Sequence, residues 1–150
     1  MNTPDSVPSH AAPADCLFCK IASGAIPSAK VFEDDQCLVF MDIGPLTHGH
    51  ALVIPKQHVR AITEAPLDLA SHLLDIAQRV ARAQVAALGA KGVNIVTNDG
   101  ELAGQTVPHL HFHVIPQYPD DQHVWNWEPH PYADPVHAPV LAAALAGAMP

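Results

Sequence analysis

The sequence predicts an α+β fold with a five-stranded antiparallel sheet and one long helix. Short runs rich in Val, Phe, Leu and Ile are separated by turn residues, which predicts strands. One long stretch instead has apolar side chains at helical spacing. The order is strands, one helix and more strands, without internal repeats, and a sheet covered by a single helix fits this layout.

Five strands follow one another along the chain. "KVFEDDQCLVFMDI" predicts two strands around an acidic turn, and "HALVIPKQH" predicts a third that ends at Pro55. "GVNIVTN" and "HLHFHVIP" predict the last two, joined by the loop "DGELAGQTVP". We expect a folded domain over residues 16–118. Residues 1–15, rich in Pro, Ala and Ser, are predicted to be disordered, and residues 119–150, with Trp125 and Trp127, to form an irregular tail.

The long helix is predicted over residues 66–88, with Pro66 in its first turn and Gly89 after its end. One apolar stripe suits the sheet: Leu69, Leu73, Ile76 and Val80. Four apolar residues fall outside that stripe: Leu67, Leu74, Val85 and Leu88. A second apolar face needs a partner, which predicts a two-fold symmetric homodimer. The alternative is a monomer whose second face is covered by the Pro-rich tail.

Composition and charge exclude several classes of protein. The 150 residues carry a formal net charge of −8, with 7 basic and 15 acidic residues, which argues against a large nucleic-acid footprint. A single nucleotide could still be bound by backbone amides and neutral imidazoles. The N-terminus lacks a basic start and an apolar stretch, and "PVLAAALAGAM" is too short to span a bilayer. We therefore expect a cytoplasmic protein with neither a nucleic-acid nor a membrane partner.

The segment "GQTVPHLHFHVIPQ" places three histidines at alternate positions: His109, His111 and His113. Alternate residues of a strand share a face, so the imidazoles project one way and the apolar residues between them pack under the helix. Three alternatives remain open for such a row on its own. It can be solvated, it can bind a metal, or it can form a hydrogen-bonded structural row.

The flanking loop favours phosphate chemistry. Small residues at Gly100 and Gly104 let backbone amides approach an anion closely, and Gln105 and Thr106 add neutral polar groups. A neutral imidazole is a competent nucleophile toward phosphorus near pH 7. The loop and the histidine row together indicate a phosphate site beside a nucleophile.

The run "HLHFHVI" resembles the signature of the histidine triad (HIT) family. "FCKIASGAIPSAKVFEDDQCLVFMDIGPLTHGHALVIPKQH" is similar to the N-terminal half of members of its Hint branch, and the resemblance covers about residues 16–117. It implies the HIT-like fold, in which a short N-terminal helix accompanies the five-stranded sheet and the long helix. It also implies homodimers that pair through the long helix and a neighbouring strand.

The resemblance implies a chemistry for the histidine row. Family members bind a nucleoside monophosphate joined to a leaving group, and the middle histidine, here His111, attacks the α-phosphate to form a nucleotidyl-histidine. His113 hydrogen-bonds the phosphate oxygens, and Thr106 matches a hydroxyl that contacts the phosphate or the leaving group. The resemblance places three further residues along the phosphate and ribose: Gly104, Gln105 and Asn98.

The resemblance also assigns a nucleoside pocket. Asp42, in "FMDIGP", matches the carboxylate that accepts hydrogen bonds from both ribose hydroxyls, which is sound chemistry for an ionised carboxylate. Four apolar residues are assigned to the slot for the base: Leu17, Phe18, Ile21 and Ile43. The alternative for these four residues is plain core packing.

Two of the three cysteines stand as Cys16-x-x-Cys19, a spacing that indicates metal or redox chemistry. A closed tetrahedral zinc site needs two further ligands. Some HIT members and the related galactose-1-phosphate uridylyltransferases pair such cysteines with two histidines, and by this resemblance His50 and His109 complete a structural Zn²⁺ site. His48 is the rival ligand, and two free thiols are the alternative. His58 is interpreted as a surface histidine.

The reaction implied by the resemblance is that of a purine nucleoside phosphoramidase-like hydrolase, which cleaves AMP from a phosphoramidate. Two alternatives remain. One is a dinucleoside polyphosphate hydrolase, and the other is a zinc-containing, nucleotide-binding interaction module with negligible turnover.

Overall fold

The computed structural model describes residues 12–121 and 128–150, and it confirms the α+β class. The helices are α1 (Leu17–Ala22), α2 (Leu67–Leu88) and α3 (His137–Ala148). The strands are β1 (Lys30–Glu33), β2 (Cys37–Met41), β3 (Ala51–Pro55), β4 (Gly92–Val96) and β5 (Phe112–Gln117). They form one five-stranded sheet in the order β1-β2-β3-β5-β4, and each pair of neighbours is antiparallel.

The acidic turn between β1 and β2 lies where the sequence predicts it. Asp34 Oδ1 accepts hydrogen bonds from the backbone N–H groups of Gln36 and Cys37, each at 2.8 Å. The other oxygen, Oδ2, lies 2.7 Å from His72 Nε2 on α2. A single carboxylate thus closes the hairpin and ties it to the long helix.

Helix α2 covers one face of the sheet. The predicted stripe is buried, since Leu69, Leu73, Ile76 and Val80 all belong to the core beneath the helix. The helix ends at Gly89, whose φ of +71° is the left-handed conformation that glycine adopts readily. The helix begins at Leu67, one residue later than predicted, and Pro66 is its N-cap residue rather than part of its first turn. The opposite face of the sheet packs against α1 through Phe18, within a second core cluster.

Strand β5 begins at Phe112 rather than at His109, because the backbone just before it bonds to other groups. The carbonyl oxygen of His109 lies 2.7 Å from His111 Nδ1, and the carbonyl of His111 accepts a hydrogen bond from Thr97 Oγ1 at 2.8 Å. Leu110 donates its N–H to Val59. The predicted alternation still holds, since Leu110, Phe112 and Val114 are buried under α2.

The two ends of the chain differ from their predictions. Residues 14–15, within the predicted disordered segment, form a turn, and the Cys16 N–H bonds to the Pro13 carbonyl. The tail, predicted to be irregular, contains α3. Trp125 and Trp127 lie outside the described residues, so the prediction about them is not tested. No helix in the described part of the chain is long and apolar enough to cross a membrane.

Candidate active site and metal centre

A cavity of about 270 Å³ opens beside the histidine row, on the face of the sheet that carries α1. It brings together eight of the residues predicted to form the nucleotide site: Leu17, Phe18, Ile21, Asp42, Ile43, Thr106, His111 and His113. Its lining combines apolar side chains with a carboxylate, a hydroxyl and two imidazoles. This mixed lining suits a ligand with an apolar ring and a polar tail.

His111 is buried at the edge of this cavity, with its ring edge-to-face against Phe18 at 5.0 Å. Its Nδ1 lies 2.7 Å from the carbonyl oxygen of His109. A carbonyl only accepts hydrogen bonds, so Nδ1 carries the proton and Nε2 keeps its lone pair. Burial lowers the pKa of His111, which keeps the ring neutral at pH 7. Nε2 is therefore in the state that a nucleophile requires.

His113 is set in the opposite tautomer by its neighbour His50. The Leu46 N–H donates to His50 Nδ1 at 3.1 Å, so neutral His50 carries its proton on Nε2. That nitrogen lies 2.9 Å from His113 Nδ1, which accepts the hydrogen bond. His113 must then carry its own proton on Nε2. Burial, assisted by His111 and His50, lowers the pKa of His113 to about 4, so it offers a neutral N–H donor.

Asp42 follows β2 and lines the cavity, with its side chain 20% exposed. Its Oδ1 accepts the Gly44 N–H at 2.8 Å, and its Oδ2 lies 3.6 Å from His50 Nε2. Each carboxylate oxygen has a second acceptor site. The geometry is compatible with two ribose hydroxyls, and that role stays a prediction.

Three residues predicted to line the phosphate do not line this cavity: Asn98, Gly104 and Gln105. The Gln105 side chain is buried and bonded to backbone groups on both sides. Its Oε1 accepts the Gly100 N–H at 2.8 Å, and its Nε2 donates to the carbonyls of Arg60 and Val107. Gln105 therefore holds the loop that presents Thr106, rather than lining the cavity itself. A polar residue in a glycine-containing loop gives no signal that separates these two roles.

Four ligand atoms form a possible metal site beneath α1: Cys16 Sγ, Cys19 Sγ, His58 Nδ1 and His109 Nδ1, all within 4.8 Å of one another. His109 Nδ1 lies 3.5 Å from each sulfur, and Cys19 Sγ lies 3.3 Å from His58 Nδ1. Tetrahedral zinc, with bonds of about 2.3 Å to sulfur and 2.0–2.1 Å to nitrogen, separates such atoms by about 3.5 Å. The donor set and its spacing fit zinc.

His109 is prepared for this role by a backbone contact. Its Nε2 lies 2.8 Å from the carbonyl oxygen of Pro55, so that nitrogen carries the proton and Nδ1 turns a lone pair toward the thiols. The residue is fully buried, and burial lowers its pKa to about 4. Burial and the Cys16 thiol raise the pKa of Cys19 to about 11, so metal binding releases protons.

The prediction of His50 as the fourth ligand is wrong, and so is the interpretation of His58 as a surface residue. His50 precedes β3 and contacts His113, whereas His58 follows β3 beside the two cysteines. The strand register explains why His58, and not His50, lies beside the cysteines. Val53 pairs with Phe112 in antiparallel β3 and β5, so His109 lies beyond the Pro55 end of β3, far from His50. The rival ligand His48 is exposed and outside the cluster.

Two other groups of potential ligands fit a metal less well. In the group of Asp42, His50 and His113, two nitrogens lie only 2.9 Å apart and share a proton. Asp34 Oδ2 and His72 Nε2, grouped with Cys37, are 2.7 Å apart. These are hydrogen-bond distances, shorter than the separation that tetrahedral coordination imposes.

The sequence profile of the HIT domain matches residues 23–120 of this chain. The chain belongs to the HIT family. A curated relative, Protein hit of Bacillus subtilis, is 46% identical over 104 residues, or 69% of this chain and 72% of the relative. The adenosine 5′-monophosphoramidase of Schizosaccharomyces pombe is 40% identical over 68% of this chain and 74% of its own. The adenylylsulfatase HINT3 of Arabidopsis thaliana is 41% identical over 69% of this chain, which spans about half (52%) of that protein. The relative named HINT3 agrees with the Hint-like resemblance.

Two solved structures extend the comparison. A HIT family protein from Bacillus subtilis superposes with a TM-score of 0.84 at 39% identity, over 91% of this chain and 98% of its own. A zinc-bound histidine triad protein from Mycobacterium smegmatis superposes with a TM-score of 0.71 at 40% identity, over 89% of this chain and 94% of its own.

Proposed function

We propose that this HIT protein is a nucleotide hydrolase that releases AMP from a phosphoramidate or a related leaving group through a nucleotidyl-histidine on His111. The decisive observation is the tautomer of His111, whose Nδ1 proton is held by a backbone carbonyl while Nε2 keeps a lone pair beside the cavity. The relatives named as a phosphoramidase and as an adenylylsulfatase both act on AMP conjugates, which supports this choice.

The cavity provides a place for each part of such a substrate. Leu17, Phe18, Ile21 and Ile43 enclose the purine, and Asp42 accepts hydrogen bonds from the two ribose hydroxyls. The α-phosphate then lies between His111 and His113, with Thr106 toward solvent, where the leaving group departs. Neutral imidazoles and a hydroxyl suit this task in a chain of net charge −8, because they need no cluster of basic residues.

The reaction proceeds in two displacements at phosphorus. In the first, Nε2 of His111 forms a bond to the α-phosphorus, the bond to the leaving group breaks, and the departing amine takes a proton from water. The Nδ1–H of the resulting cationic ring is stabilised by the His109 carbonyl, and His113 Nε2–H bonds an oxygen of the phosphoryl group. In the second displacement, a water oxygen forms a bond to phosphorus, the P–N bond to His111 breaks, and the proton lost by that water passes to solvent, where it replaces the one taken by the amine; AMP and neutral His111 are released.

We also propose that Zn²⁺ binds Cys16, Cys19, His58 and His109 in a structural role, and that two subunits form a homodimer. A closed site of four protein ligands supplies cross-linking rather than catalysis. The homodimer is supported by the second face of α2, where Leu67 is 81% exposed and Leu74, Val85 and Leu88 are each about half exposed. The cytoplasmic location remains a prediction.

The test of the proposed function is single-turnover mass spectrometry with adenosine 5′-phosphoramidate. We expect a transient mass increase of one adenylyl group on the peptide that contains His111, and its absence in His111→Ala. A parallel substrate panel with a diadenosine polyphosphate compares the two hydrolase activities. Binding of AMP without any adduct or turnover would instead identify a nucleotide-binding interaction module and refute the proposal.

A further inference from the structure

The C-terminal helix α3 has an unusual composition for a solvated helix. Its twelve residues, "HAPVLAAALAGA", include no Asp, Glu, Lys or Arg, and apolar side chains occur on all sides. Every residue from 128 to 150 is exposed, including Val140, Leu141 and Leu145. A helix that is apolar all round is ordinarily buried. Within residues 12–121 and 128–150, the subunit therefore leaves α3 without the cover that its composition requires.

Local interactions support α3 at one end only. Asp134 Oδ1 accepts the Val136 N–H at 3.0 Å just before the helix, whereas the N-cap residue Val136 makes no side-chain capping bond, the first turn has no acidic residue and the last turn has no basic one. Isolated helices shorter than about 12–15 residues are marginal in water even when rich in alanine. Packing against another surface is the remaining source of stability for this helix.

An apolar groove of about 1030 Å³ lies beside the C-terminal end of α2. Its apolar walls are formed by Met41, Leu46, Leu88 and Tyr118. Leu46 and Leu88 are each 50% exposed. The tail leaves the domain at this groove, since Asp120 and Asp121 form part of its rim. Leu88 also belongs to the second apolar face of α2, so the groove continues that face.

We propose that α3 of one subunit packs into this groove on a second copy of the chain, in a reciprocal exchange of C-terminal helices. The two surfaces are both apolar and exposed, and they belong to the same chain. A two-fold symmetric dimer therefore buries both surfaces of each subunit and forms a closed assembly. This inference assigns a partner to the tail and does not depend on the proposed reaction.

Photo-cross-linking of the full-length protein tests the exchange directly. Leu141 is replaced by p-benzoylphenylalanine, and light and ¹⁵N-labelled chains are combined until native mass spectrometry shows mixed dimers. We expect light–heavy cross-links from position 141 to residues 41–49, 88 or 118. The control carries the same group at Leu102, an exposed leucine outside the groove, and should not label it. Cross-links within one isotopic chain only, labelling elsewhere, or the absence of dimers would overturn the proposal.

A double substitution measures what the exchange contributes. Leu141→Asp with Leu145→Asp places two charges on α3, and sedimentation equilibrium should show dimerisation weakened at least tenfold, which is about 1.4 kcal/mol. Leu102→Asp is the control and should leave dimerisation unchanged. Because α3 is exposed among the described residues of its own subunit, thermal unfolding of the monomer should be unaffected. An unaltered dimer would show that α2 alone joins the subunits and that α3 is not exchanged, while leaving the proposed reaction untouched.

Discussion

His109 and His111 lie two residues apart, are both buried and neutral, and yet present opposite nitrogens. His109 donates a hydrogen bond from its Nε2–H to the Pro55 carbonyl and directs Nδ1 toward two thiols. His111 donates a hydrogen bond from its Nδ1–H to the His109 carbonyl and keeps the lone pair of Nε2 at the cavity. The residue type is the same in both cases. A backbone oxygen decides which imidazole is arranged as a metal ligand and which as a nucleophile.

The two rings also differ in what surrounds the unprotonated nitrogen. That of His109 faces Cys16, Cys19 and His58, a set of four donors that leaves no position for a substrate. That of His111 faces an open cavity. This is the distinction between closed structural metal sites and accessible catalytic groups. Separate substitutions can test the two sites independently.

The largest effect is expected from His111→Ala. Loss of a covalent nucleophile should lower kcat by several orders of magnitude while leaving AMP binding and the fold largely intact. Steady-state kinetics and AMP titration give the two readouts. His130→Ala, in the exposed tail, is the control. A variant that retained more than about a tenth of wild-type kcat would remove His111 from the nucleophile's role.

The proposed zinc site is tested by comparing His58→Ala with His48→Ala. We expect the His58 variant to lose most of its zinc, measured by elemental analysis after purification in zinc-containing buffer, and to unfold at lower temperature, because one of four donors is missing. His48→Ala should keep both the metal and the melting temperature. Equal zinc in the two variants would show that His58 is not a ligand.

Asp42→Ala should produce a selective loss of nucleotide affinity. Nucleoside monophosphates should bind more weakly by about 1.5–3 kcal/mol, the value of a hydrogen bond to a charged group, while 2′,3′-dideoxy analogues should be much less affected. Isothermal titration of both ligand types into both proteins measures the difference. If the two ligand types weakened equally, Asp42 would not contact the ribose.

The smallest effect concerns pH and the third histidine of the row. The pKa of His113 is about 4 in the folded protein and 6.5 in the reference state, so below pH 6.5 the unfolded chain binds more protons. The contribution of His113 to the free energy of unfolding should therefore decrease as the pH falls from about 6.5 toward 4. Urea unfolding of wild type and His113→Asn at pH 7 and pH 5 tests this. Between pH 7 and pH 5 we expect the free energy of unfolding to decrease more for wild type than for the variant. Equal decreases would contradict the lowered pKa of His113.

The histidine row shows how much the sequence could predict. Alternation placed Leu110 under α2 and His111 at the cavity, because side-chain direction follows from extended backbone alone. The start of β5 could not be predicted in the same way. It depends on side chains, His111 and Thr97, that occupy the carbonyls a neighbouring strand would otherwise use.

The remaining errors involve partners far apart in sequence. His50 and His58 both flank β3, and only the register between β3 and β5 decides which one reaches His109. The polarity of Gln105 suggests a phosphate contact, but its three backbone partners depend on the folded path of the loop. The helical state of α3 was missed because its sequence has no amphipathic pattern and its stability depends on packing.

The strand order sets a sequence of events for folding. β1, β2 and β3 pair with their neighbours in the chain, but β3 also pairs with β5, from which it is separated by α2 and β4. Such distant contacts form late because a long loop must close first. During synthesis the two cysteines emerge long before His109, so the proposed metal site and the proposed nucleophile are both completed by the segment that leads into β5. A nascent chain would therefore lack both until its last third has joined the sheet.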